Sequence, residues 1–76
     1  MSTRKHLKYK YLKTKIALNN TIQQLLEINR KRRFFREDPQ HDTSLDEELR
    51  VLNATAEMQA RRLKSYEESI QALERA

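Results

Sequence analysis

The chain has 76 residues, 36% of them charged and 37% hydrophobic, with one Pro and no Gly, Cys or Trp. That length holds one small domain, and the near absence of Gly and Pro excludes a many-turned sheet in favour of long unbroken helices. The lack of Cys excludes disulfide staples and thiolate metal sites and points to a reducing intracellular compartment, cytoplasmic or nuclear.

The net charge of +5 is unevenly distributed. Residues 1–36 carry eleven Lys or Arg against the single acid Glu27, whereas residues 37–76 carry ten acids against five bases. A split of this kind draws the halves together and leaves positive charge for an anionic partner. The basic N-terminus has no apolar stretch behind it, so it does not read as a signal peptide, and no apolar run reaches the ~20 residues that span a bilayer.

The first predicted helix covers about residues 4–36. Leu7, Tyr11, Thr14, Leu18, Thr21, Leu25, Ile28, Arg32 and Phe35 recur at alternating spacings of four and three, the seam of a helix packed along its length on another. Arg30, Lys31, Arg32, Arg33 and Arg36 fall in its last turns, where cations suit the helix dipole.

Residues 37–43 are the predicted loop. Pro39 disfavours helical geometry at Asp38, and Ser44 with Glu47 has the spacing of a capping box. The second predicted helix covers about residues 44–75, with a matching seam at Leu45, Leu49, Leu52, Ala56, Gln59, Leu63, Tyr66, Ile70 and Leu73. One short loop between two seams predicts an all-α antiparallel coiled-coil hairpin as a single domain. One continuous helix in a long parallel dimer is the alternative, and Pro39 opposes it.

Folding about residue 40 pairs Phe35 with Leu45, Ile28 with Leu52, Leu25 with Ala56, Leu18 with Leu63, Tyr11 with Ile70 and Leu7 with Leu73. Thr21 then meets Gln59 as a polar layer that fixes register. The same register brings Arg32 and Arg33 toward Glu47 and Glu48, and Lys13 toward Glu67 and Glu68.

Helix 1 holds a second stripe on a different face, formed by Tyr9, Leu12, Ile16, Asn19, Gln23 and Leu26 and continuing to Arg30. Val51, Ala54, Met58, Ser65 and Ala72 are a weaker counterpart on helix 2. A helix apolar on two sides is ordinarily buried between neighbours. The expectation is therefore a homodimer forming a four-helix bundle, with helix 1 central and Asn19 and Gln23 setting its register. The competing readings are a plain exposed surface or a contact with a different protein.

The chemistry-bearing residues do not form a catalytic pattern. There is no Gly-rich phosphate loop, and no cofactor or metal is expected. His6 and His41 fall at opposite ends of a hairpin, roughly 45 Å apart at 1.5 Å per residue. Glu47-Glu48 and Glu67-Glu68 read as solvated or ion-paired faces, so no enzyme activity is expected. The basic segments carry the functional signal. Arg4, Lys5, Lys8, Lys10, Lys13 and Lys15 interleave with Tyr9 and Tyr11, a mixture suited to phosphate and aromatic contacts. Arg30, Lys31, Arg33 and Arg36 add guanidinium forks that recognise phosphate. The expected function is nucleic-acid binding, or assembly on nucleic acid, through helix 1. The alternative is an interaction subunit of a larger complex whose charges only specify a protein contact, including an acidic protein partner. A membrane-surface role is opposed by lysines that ring helix 1.

Overall fold

A computed structural model describes the backbone of residues 3–34 and 39–75 and the side chains of residues 3–33 and 44–75. It contains two helices, α1 (Thr3–Phe34) and α2 (Pro39–Arg75), packed against each other. Phe35 and Arg36, assigned above to the seam and to the basic cluster, lie outside the described residues.

The relative placement of the helices follows from three contacts. Arg4 Nη2 lies 2.9 Å from Glu74 Oε1, so the start of α1 meets the end of α2. Midway, Thr21 Oγ1 is 2.7 Å from Gln59 Oε1, the polar layer that the register predicts. Near the other end, Arg32 Nη2 is 2.9 Å from Asp46 Oδ1. The two helices make a rod of 57 × 16 × 14 Å. Its radius of gyration is 17.1 Å, against roughly 11 Å for a compact chain of this length.

Burial follows the two seams. On α1 the shielded positions are Leu7, Tyr11, Thr14, Leu18, Thr21, Leu25 and Ile28, with Ala17 added beside them. On α2 they are Leu45, Leu49, Leu52, Ala56, Gln59, Leu63, Tyr66 and Ile70, with Thr55 added. Only Ile28, Leu45 and Thr21 are buried among the described residues. A helix with one neighbour is shielded on one side, so most of its seam stays half-exposed.

Several expectations need correction. Residues 39–43 belong to α2, which begins at Pro39 rather than at 44. Proline lacks a backbone N–H and has φ fixed near the helical value, which suits the first helical position as well as it suits a loop. Ser44 therefore sits within the helix and does not open it, and Glu47 bonds Arg50 one turn on, at 2.7 and 2.8 Å. Arg32 occupies a seam position yet is exposed, because its guanidinium reaches sideways to Asp46. Glu47 and Glu48 are not its partner in that bridge. Leu73 is 43% exposed, at the end of the rod where nothing beyond covers it.

Candidate anion and assembly surface on the first helix

The heptad geometry that turns Leu7, Leu18 and Leu25 toward α2 turns the second stripe of α1 nearly the opposite way. Tyr9, Leu12, Ile16 and Leu26 are 59%, 57%, 61% and 54% exposed, and Asn19 and Gln23 between them are exposed too. Four large apolar side chains form a stripe along about 25 Å of helix, interrupted by the amides of Asn19 and Gln23 between Ile16 and Leu26. Ile22 widens it and was not assigned to the stripe from sequence, although it lies one turn from Leu26. On α2, Val51 and Met58 are exposed at 61% and 45%.

The cations lie beside this stripe and, at Lys5, Arg30 and Arg33, in line with it. Arg4, Lys5, Lys8, Lys10, Lys13, Lys15, Arg30, Lys31 and Arg33 are all exposed. Arg4 and Arg32 bridge to acids of α2. Among the described residues, Lys8, Lys10, Arg30, Lys31 and Arg33 form no ion pair. Lys13 and Lys15 lie instead over rings of their own helix, with Nζ 5.4 Å from the Tyr9 centroid and 6.0 Å from the Tyr11 centroid. These i,i+4 pairs are visible in the sequence as Tyr-x-x-x-Lys. They replace the expected approach of Lys13 to Glu67 and Glu68, because Lys13 lies on the side of α1 turned from α2. Arg33 likewise points outward and does not meet Glu47 or Glu48. The positive charge of α1 is therefore mostly not neutralised by the acids of α2.

A shallow open groove lies where the two helices meet near Ile28, lined by Gln24, Glu27, Lys31, Glu48, Val51 and Leu52 among others. Charges of both signs line it, which makes it a poor anion cradle. The Glu47 carboxylate beside it is held by Arg50. His6 is exposed on α1, and the side chain of His41 lies outside the described residues. No helix among the described residues is long and apolar enough to cross a membrane.

Comparison with family models, curated proteins and solved structures gives no match. The functional reading rests on the surface itself.

Proposed function

We propose that this chain is a non-enzymatic, antiparallel coiled-coil hairpin that pairs with a second copy and binds nucleic acid through α1. The observation that carries the nucleic-acid part is the set of exposed α1 cations that form no ion pair among the described residues: Lys8, Lys10, Arg30, Lys31 and Arg33, joined by Lys13 and Lys15 on their tyrosines. Charges that only matched α1 to α2 would be spent across the helix interface. These are exposed and form no ion pair across it among the described residues, which leaves them for phosphate contacts.

Self-association is supported by area. The chain exposes 6478 Å², whereas a compact monomer of 9.2 kDa exposes roughly 4,900 Å². The surplus is on the order of the area that each partner buries in an obligate dimer. Tyr9, Leu12, Ile16 and Leu26 would form the centre of that interface, and the flanking lysines would remain at its rim.

Fluorescence anisotropy with labelled duplex DNA, duplex RNA and single strands at 50 mM salt tests the reading. Binding is expected, falling steeply as salt rises because counterions are released. Lys8→Glu, Lys10→Glu and Lys13→Glu together should weaken it at least about tenfold while circular dichroism reports unchanged helicity. Absence of binding to every nucleic acid at 50 mM salt rules the proposal out. The same exposed stripe supports a second reading, an interaction subunit in which a different protein covers Tyr9, Leu12 and Ile16.

A further inference from the structure

Resting on the nucleic-acid reading above, we propose that the ligand of α1 is specifically a B-form DNA duplex, held at two points one helical turn apart. The cations of α1 are not spread along it. They form one cluster at residues 4–15 and another at residues 30–33, and residues 16–29 hold no Lys or Arg. At 1.5 Å per residue the cluster centres lie on the order of 33 Å apart. One turn of B-DNA is about 34–36 Å. At about 100° per residue Lys8, Lys15, Arg30 and Arg33 fall on one side of α1, so a rod lying along the duplex would set these members of the two clusters against phosphates that face the same way on successive turns.

Three features make this spacing a property of the molecule rather than a coincidence of composition. First, α1 runs unbroken from Thr3 to Phe34 with α2 packed along it, so the separation is fixed. A flexible basic tail could not hold such a spacing. Second, the segment between the clusters presents exposed amides at Asn19, Asn20, Gln23 and Gln24, and its one charge, on Glu27, is negative. It adds no phosphate contact between the two, as a groove facing the middle of the rod requires. Third, the ammonium groups of Lys13 and Lys15 lie over Tyr9 and Tyr11. Rings so covered are poorly placed for the base stacking by which single strands are held. An A-form duplex brings successive turns closer together than the two clusters.

The test is a duplex-length series at 100 mM salt, read by anisotropy. A duplex of 8 bp spans about 27 Å at 3.4 Å per step, too short to lie against both cluster centres at once. One of 16 bp spans both. Joining two weak contacts on one rigid ligand raises affinity without new chemistry. The 16-bp duplex should bind at least about tenfold tighter than the 8-bp duplex, with a salt slope about twice as steep. On 16 bp, Lys8→Glu with Lys15→Glu, or Arg30→Glu with Arg33→Glu, should each reduce affinity to about the 8-bp level. On 8 bp each pair should cost no more than about twofold, because the other cluster still serves. Circular dichroism of each variant confirms that the helices persist. Equal affinity for 8 and 16 bp, or a single strand or duplex RNA bound as tightly as 16-bp DNA, overturns the two-point duplex grip while leaving nucleic-acid binding standing. No binding to any of them overturns both.

Discussion

Among the described residues Thr21 is the one buried polar residue, at 5% exposure. Its hydroxyl has two oxygen neighbours, the Ala17 carbonyl at 3.0 Å and the Gln59 side chain at 2.7 Å. One proton serves only one acceptor. If the Gln59 amide turns its Nε2–H toward Thr21, the hydroxyl accepts from Gln59 and donates to Ala17, and both contacts are satisfied. Thr21→Val keeps the shape and removes the hydroxyl, leaving Gln59 without its partner. It should lower stability by about 1–2 kcal/mol in urea melts at fixed concentration. Adding Gln59→Leu turns the layer apolar and should restore or exceed the original stability, with looser register as the cost. An unaltered midpoint for the single variant would show that this layer does not join the helices.

At the scale of the elements, the enclosed apolar side chains are Ile28 and Leu45, both near the end of the rod where α1 finishes and α2 starts. Packing is tightest there and loosest at Leu73. Leu45→Ala should therefore cost about 2–4 kcal/mol, enough to unfold much of a marginal helix pair. Leu73→Ala should cost under about 1 kcal/mol. Circular dichroism at 25 °C separates the two, and equal effects would mean that the seam is uniformly buried. Most of this layout was legible beforehand. Alternating spacings of four and three picked out the seam positions from Leu7 to Ile28 and from Leu45 to Ile70, because burial in a helix pair follows periodicity first, while Ala17 and Thr55 beside the seams were not legible from that spacing. The start of α2 was not legible. Pro39 fits a loop and a first helical turn equally well, and Ser44 with Glu47 matches a capping pattern that also occurs inside helices. The ion pairs were legible only coarsely. Periodicity places Arg32 near the start of α2, but the choice of Asp46 over Glu47 depends on side-chain reach. Lys13 lies over Tyr9, a neighbour four residues away on the same helix, a pairing that the reading across the interface did not consider.

At the scale of the whole molecule, a rod of 57 × 16 × 14 Å leaves more surface open than a chain of this mass needs to. Ile16 is exposed at 61% at the middle of the outer stripe, so Ile16→Glu places a charge in water in the lone hairpin and in an apolar contact in the dimer. Sedimentation at tens of micromolar should show Ile16→Glu as a monomer and the unaltered chain as a dimer. A monomeric parent, or a variant that remains dimeric, would remove the outer stripe as the self-contact. The basic flanks of α1 are expected to remain usable in the dimer, since they border the stripe without forming its centre. The most direct measurement is the solution mass by light scattering, with and without a 20-bp DNA duplex, at 50 mM and 500 mM salt. A dimer that takes up the duplex at low salt and releases it at high salt, keeping its own dimer mass throughout, is the predicted result. A protein mass unchanged by the duplex at 50 mM salt would contradict it.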